Sequence, residues 1–228
     1  MSAFNKPAGG NFEPAPAGSH IGVCTQIIDL GTQHWQYLGE AKSGRKLRVA
    51  FQLPDEILKY EDKDGNEVER PFLIMVEHLV SLNEKANLRK MFESWRGKKF
   101  TDAELEPFVK NGLVHLKGLL GVNCMINVVH VEKGGQVYAN IASISPVPKG
   151  TKKHKVSEDE MIFFSLEPES FRKEDLDKLS AKTKEKVLKT DEYLALSPKA
   201  GKPAGKKPAP TEPDPSDNPD IDPDQIPF

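Results

Sequence analysis

Cysteine and long apolar runs are both scarce in this chain of 228 residues, and each shortage excludes a class of protein. The two cysteines, Cys24 and Cys124, are too few for a disulfide framework, and they have no neighbouring ligand residues that would form a zinc knuckle or ribbon. No apolar run approaches the roughly 20 residues that cross a membrane, and the N-terminus has no apolar segment typical of a signal peptide. We therefore expect a cytoplasmic protein that does not enter a membrane.

Apolar residues other than glycine make up 37% of the chain, and the 17 glycines bring this share close to the roughly 45–50% that is typical of globular proteins when glycine is counted. The 17 glycines and 18 prolines point to unfolded segments. The net charge of −2 hides an uneven distribution, because residues 211–228 contain six acidic and no basic residues. The rest of the chain carries 32 basic and 28 acidic residues. A basic body with an acidic tail favours a partner such as nucleic acid.

Composition and pattern divide the chain into four regions. Residues 1–18 contain three prolines and three glycines, which predicts a flexible N-terminal arm. Strand patterns, with two helical patterns among them, extend over residues 19–149 and predict the main folded domain. Residues 150–197 begin with a lysine-rich connector and continue with short amphipathic patterns, which predict a helical appendage. Nine of the 18 prolines fall within residues 198–228, so this segment is expected to be a disordered acidic tail.

Five segments of the main domain have the pattern of β-strands. The first is rich in β-branched side chains and is expected to end at Gly31, and the second alternates between an apolar face and a basic outer face and is expected to end at Pro54. Lys133-Gly-Gly135 joins the last two segments, which predicts a hairpin. The five segments are residues 20–30, 45–53, 72–80, 122–132 and 136–147.

Two helices are predicted between the third and fourth strands. Residues 81–84 and residues 101–104 both fit a capping box, in which a Ser or Thr hydroxyl and a Glu carboxylate satisfy free backbone amides. The first helix has an apolar stripe that ends before Gly97, and the second carries a shorter apolar set. We expect Trp95, in the first stripe, to pack in the core. The stripes are Leu88, Met91, Phe92 and Trp95, then Leu105, Phe108 and Val109.

The order of three strands, a helix and two strands is that of an OB-fold, which closes five strands into a Greek-key barrel. The sequence therefore predicts a mainly β protein with appended helices, whose centre is a five-stranded OB-fold barrel with a helix between strands 3 and 4. Nucleotide-binding, hydrolase and metalloprotease motifs are all missing from the sequence. The six histidines are scattered without ligand spacing. We expect no enzymatic activity, no cofactor and no metal.

Aromatic and basic residues cluster between the first two predicted strands. Trp35 and Tyr37 lie in a predicted loop beside Lys42, and the neighbouring strand is basic. Bases stack on aromatic side chains while Lys and Arg follow the phosphates, and OB-folds bind ligands at this loop, at strands 2–3 and at the last hairpin. The alternative is that the two rings cap one end of the barrel. The predicted DNA contacts are Trp35, Tyr37, Arg45, Lys46, Arg48, Lys133 and Tyr138.

The last residues of the chain form an acidic tip that ends in an apolar tripeptide. It resembles the tip of bacterial single-stranded-DNA-binding proteins, although Pro223 and Gln225 interrupt the usual acidic run. The resemblance implies that the tip recruits replication, repair or recombination proteins. A terminal aromatic ring with a carboxylate suits an apolar pocket beside a basic residue. The residues predicted to bind a partner are Asp220, Asp222, Asp224, Ile226, Pro227 and Phe228.

Four segments of the body resemble tailed-phage single-stranded-DNA-binding proteins, and the similarity covers most of residues 19–197. They are LGTQ at 30–33, SLNEKANLRKMFESWRG at 81–97, NVVHVEKGGQVYANI at 127–141 and FFSLEP at 163–168. The resemblance implies an OB-fold that protects single strands during phage replication or recombination, in the cytoplasm of a bacterial host. The alternative is an adaptor that binds only proteins through the barrel and the tail. The sequence leaves self-association into a homo-oligomer open.

Overall fold

The structure, a computed structural model, describes residues 13–61 and 65–196. These residues form a mainly β protein with an open, strongly curled antiparallel sheet of five strands and a few helices. The order of strands in the sheet is β3-β2-β1-β4-β5, and a short sixth strand runs parallel to β1. The strands are β1 (Gly18–Tyr37), β2 (Glu40–Glu61), β3 (Glu67–Leu79), β4 (Asn123–Lys133), β5 (Gln136–Ser145) and β6 (Ile162–Phe164).

The first two strands are much longer than the sequence predicts. At Gly31 the register shifts and the backbone takes a φ of 66°, which glycine adopts without strain, so β1 bulges and continues instead of ending. Pro54 was expected to end β2, but it lies at a second irregularity, between Leu53 and Ile57, and the strand runs on. Proline is tolerated there because a bulge does not need its missing amide hydrogen.

The helices between β3 and β4 are α1 (Asn87–Arg96) and α2 (Asp102–Asn111), followed by a 3₁₀ helix (Gly112–Leu119). The capping box predicted at residues 81–84 is wrong, because α1 begins later with Ala86 as its N-cap. The box at Thr101 is confirmed, and Gly97 ends α1 in the left-handed conformation as expected. Val109 is exposed rather than packed.

The main core lies on the inner face of the curled sheet, where β2 and α1 meet. The predicted apolar stripe of α1 is buried, and the ring of Trp95 contacts that of Phe51 edge-on, with ring centroids 5.3 Å apart. Burial of one large apolar side chain stabilises the fold by roughly 1.5–3 kcal/mol. The core from β2 consists of Leu47, Val49, Phe51 and Leu53, each fully buried.

A second core joins the C-terminal appendage to the other face of β1. The appendage consists of β6 and three short helices, α3 (Lys173–Asp177), α4 (Ala181–Leu188) and α5 (Asp191–Leu196). Ile28 and Leu30 of β1 pack against Phe164 and Val187, so the middle of β1 is covered on this face. None of the helices that the structure describes combines the length and apolar character needed to cross a membrane.

Candidate nucleic-acid interface

The sequence predicted a loop at Trp35 and Tyr37, but the rings of both residues lie on a β-hairpin. Trp35 pairs with Lys42 and Tyr37 pairs with Glu40 in the antiparallel ladder of β1 and β2. The hairpin turns at Leu38, which has a φ of 50°, and the following glycine. Because cross-strand partners share a face of a sheet, the ladder fixes which side chains lie beside the rings.

Two lysines lie over these two rings. The Nζ atom of Lys42 is 4.6 Å from the centre of the Tyr37 ring, and that of Lys46 is 4.8 Å from the Trp35 ring. Both distances suit a cation–π contact, in which an ammonium is attracted to the electron-rich face of the ring. Tyr37 is 42% exposed and Trp35 is half-buried. We call these four residues the aromatic–lysine surface.

Gly44 leaves room for the Leu79 side chain beside the Trp35 ring. A Cβ atom at Gly44 would come within 2.7 Å of the Leu79 side chain and 3.5 Å of the Trp35 ring. Leu79 in turn borders a depression of about 250 Å³ at the end of β3. The aromatic–lysine surface therefore continues into a hollow of mixed polar and apolar lining, which the sequence did not predict. Besides Leu79 the hollow is lined by Ser81, Asn83, Lys85, Ala86 and Asn87.

Arg45, one of the predicted DNA contacts, holds the fully buried carboxylate of Asp29. Its Nη2 and Nε donate to the two Asp29 oxygens at 2.5 and 3.1 Å, and the backbone amides of Gly31 and Leu166 also donate to that carboxylate. Burial by itself would lower the pKa of Arg45, but the hydrogen bond and the charge of Asp29 raise it. Asp29 thus ties β1 to the backbone at Leu166, and Arg45 neutralises it with about 29% of the Arg45 side chain exposed.

Arg48 was expected on an open basic face, and the structure corrects this expectation. The guanidinium donates to Glu77 of β3 and, through Nη1, to the Thr183 hydroxyl of α4 at 2.7 Å. Only 9% of the Arg48 side chain and 4% of the Glu77 side chain are exposed. Because α4 covers it, we leave Arg48 out of the candidate interface.

Lys133 and Tyr138 lie together on the hairpin of β4 and β5. Lys133 pairs with Gln136, whose Oε1 accepts a hydrogen bond from the Tyr138 hydroxyl at 2.7 Å. β4 pairs with residues 18–23 at the start of β1, whereas the aromatic–lysine surface lies at its end. The structure thus places the two predicted groups on different segments of the sheet.

Other predicted features contribute little to a site. Cys24 and Cys124 are buried free thiols, and burial raises the pKa of both, that of Cys124 to about 12. Across residues 13–61 and 65–196, no group of three or more His, Cys, Asp or Glu side chains is arranged to hold a metal ion. The predicted partner-binding tip, residues 220–228, lies outside the described residues.

Comparison of the sequence with protein-family models and with curated proteins gave no match.

Proposed function

We propose that the protein binds single-stranded DNA without regard to sequence, through an OB-fold barrel, and protects it during phage replication or recombination. The order of pairing supports the fold, because β1 pairs with both β2 and β4, and helices separate β3 from β4. The two edge strands, β3 and β5, come within 8 Å of each other between Cα atoms. A strongly curled sheet of this topology is what a nearly closed OB barrel requires.

The observation that carries the proposal is the aromatic–lysine surface. A base that stacks on the exposed face of such a ring gains roughly 1–3 kcal/mol irrespective of its identity. The ammonium groups of Lys42 and Lys46 already lie 4.6–4.8 Å from the ring centres. When a base takes the ring face, each ammonium needs to move only a short way to meet the adjoining phosphate. Stacking and charge neutralisation then act together along one strand.

The acidic tip has the second role in this proposal, which is to recruit replication, repair or recombination proteins. Phe228 offers an apolar ring, and Asp220, Asp222 and Asp224 speed encounter with a basic partner. The tip resembles that of bacterial single-stranded-DNA-binding proteins. The tip and the barrel thus have separate partners, one a protein and one a nucleic acid.

The test is a titration of intrinsic tryptophan fluorescence with oligo-dT and with duplex DNA at low and high salt. Trp35 lies on the proposed binding surface, whereas Trp95 is 6% exposed and packs against Phe51. We expect quenching by the single strand only, with an affinity that falls as salt rises because bound phosphates release counterions. Trp35→Phe should abolish most of this quenching.

Two outcomes would overturn the proposal. The first is that the wild-type protein does not bind oligo-dT at low salt, which would mean that it has no groove for single strands. Quenching that persists in Trp35→Phe would place the DNA elsewhere. The protein-only adaptor makes the opposite prediction, namely that Trp35→Ala and Tyr37→Ala lower the free energy of unfolding and leave nucleic-acid affinity unaffected.

A further inference from the structure

The connector between β5 and β6 is rich in lysine and is part of neither the barrel sheet nor the appendage core. We call residues 149–155, with the sequence KGTKKHK, the basic strap. Its four lysines are exposed, and within the described parts of the chain none of them has an ion-pair partner. The lysines are Lys149, Lys152, Lys153 and Lys155.

The basic strap is held against the sheet at His154. Its backbone N–H donates to the Asn123 side-chain oxygen at 2.8 Å, and its carbonyl accepts from the Asn123 side-chain nitrogen at 2.8 Å. Its ring Nε2 lies 3.0 Å from an oxygen of Asp55. The His154 side chain is only 15% exposed, while Lys153 and Lys155 on either side are exposed. This anchoring fixes cations in place that a free loop would leave mobile.

Acidic residues follow the strap, and two of the three have other partners. Asp159 accepts a hydrogen bond from the Ser157 hydroxyl, and Glu160 accepts one from the Gln52 amide at 3.1 Å. Glu158 is the third acid of this turn. The strap lysines therefore remain available to an external anion, because no acid of this turn forms an ion pair with them.

We infer that the basic strap is a second phosphate-binding segment, which takes the backbone of the same single strand at a distance from the aromatic–lysine surface. Asp55, which holds His154, is nine residues along β2 from Lys46, or about 30 Å of strand at 3.3 Å per residue. A short oligonucleotide should therefore reach only one of the two sites. A long one should reach both. This inference rests on the proposed function.

The test compares the salt dependence of binding for two lengths of oligo-dT, about 4 and about 16 nucleotides, the limits of the usual site sizes. In the full-length triple variant Lys152→Gln, Lys153→Gln and Lys155→Gln, the log–log slope with the long oligonucleotide should become shallower by about 2, since each phosphate contributes about 0.7. The slope with the short oligonucleotide should stay at the wild-type value. The triple Lys→Arg variant should retain the wild-type slope.

The matched control removes the same net charge from the appendage. Lys178, Lys184 and Lys189 each pair with a neighbouring carboxylate, so replacing these three by Gln should leave both slopes unchanged. If the control makes the log–log slope with the long oligonucleotide as much shallower as the strap variant does, overall charge accounts for the change in salt dependence and the inference is overturned.

Failure of the inference and failure of the proposed function give different results. A wild-type slope for the strap variant with the long oligonucleotide overturns the strap inference alone. Absence of binding by the wild-type protein overturns the proposed function. The single variants Lys153→Gln and Lys155→Gln provide the same test if the triple variant folds poorly. Each should make the log–log slope with the long oligonucleotide shallower by about 0.7.

Discussion

Lys46 and Arg48 are two residues apart on the same face of β2, yet their surroundings are opposite. Lys46 lies over the ring of Trp35 on a partly exposed hairpin. Arg48 is buried against Glu77 and the Thr183 hydroxyl of α4. The difference arises because α4 covers the face of the sheet at Arg48 and not at Lys46. One alternating basic strand therefore supplies both an internal ion pair and a candidate contact with nucleic acid.

Positive charge has different roles at Arg48 and at Lys46. A buried guanidinium stabilises the fold only if its partners remain in place, since an unpaired charge in the interior lowers the free energy of unfolding. A lysine over a partly exposed ring can exchange that contact for one with a phosphate at little cost. Stability should therefore depend on Arg48, and binding should depend on Lys46 and its aromatic neighbours.

The largest expected effect comes from breaking the buried pair. Arg48→Ala leaves the Glu77 carboxylate, 4% exposed, without its main partner. Removal of one member of a buried pair usually lowers the free energy of unfolding by about 3–5 kcal/mol. Urea denaturation followed by circular dichroism measures this loss. Lys46→Ala is the matched control and should cost less than about 1 kcal/mol.

A double replacement sharpens this prediction. Arg48→Met combined with Glu77→Leu removes both charges and keeps apolar volume, so it should regain most of the lost stability. If Arg48→Ala and Lys46→Ala prove equally mild, the contrast between the two positions does not hold.

The next effect concerns binding. Trp35→Ala should weaken the affinity for oligo-dT by about five-fold to 150-fold, because one stacked base contributes roughly 1–3 kcal/mol. Tyr37→Ala should act in the same direction. Fluorescence anisotropy of labelled oligo-dT measures the change without relying on tryptophan emission. Unaltered affinity in both variants would favour the view that the rings only cover the end of the barrel.

Glu104 is intermediate between the buried Arg48 and the exposed lysines, because its partly exposed carboxylate is paired with both Arg96 and Lys98. Hydrogen bonds from the Arg96 side chain, the Thr101 amide and the Lys98 ammonium hold the pKa of Glu104 well below its usual range. A carboxylate with a depressed pKa stabilises the fold above its unfolded-state pKa of about 4.5, and this contribution is lost as the pH falls further.

Glu104→Gln should therefore flatten the fall in the free energy of unfolding between about pH 5 and pH 3, and lower it slightly at neutral pH. Urea titrations at a series of pH values test this, with Glu106→Gln on the same helix as the control. Identical pH profiles for wild type and Glu104→Gln would mean that the network does not persist in solution.

The smallest expected effect is on DNA affinity after deletion of residues 220–228. An acidic tail tethered near a basic surface competes with DNA at an effective concentration of up to about millimolar. The deletion should keep or modestly tighten binding of oligo-dT while abolishing capture of a partner protein in pull-down. Persistent partner capture would show that recruitment does not use the tip.

Local patterns predicted the elements whose partners are close in sequence. The hairpin of β4 and β5, the buried stripe of α1 and the capping box at Thr101 depend on residues within a few positions of one another, and all three are present. The capping box predicted at Ser81 failed because its hydroxyl accepts from the nearby amide of Asn83 and α1 starts later.

Features that depend on distant residues could not be predicted. Arg48 is covered by a helix that begins more than 130 residues later, which no alternation within β2 reveals. Gly31 allows β1 to bulge and continue, whereas glycine after a strand usually indicates its end. The hollow beside Leu79 arises from how β3 meets α1. That Trp35, Tyr37 and Lys46 bind DNA stays a prediction. Their proximity could be anticipated from the sequence because Trp35 and Tyr37 pair with Lys42 and Glu40, only a few residues further along the chain.

The central position of β1 has a consequence for folding. This strand is made early, yet it pairs with β4 and β6, which follow more than a hundred residues later. The meander of β1, β2 and β3 can form during synthesis, but the five-stranded sheet cannot be completed until β4 and β5 have been made. Such distant contacts slow folding into the millisecond-to-second range. During that interval one edge of β1 has unpaired backbone groups, which can pair with another chain. We therefore expect this chain to aggregate first when it is expressed rapidly and to a high concentration.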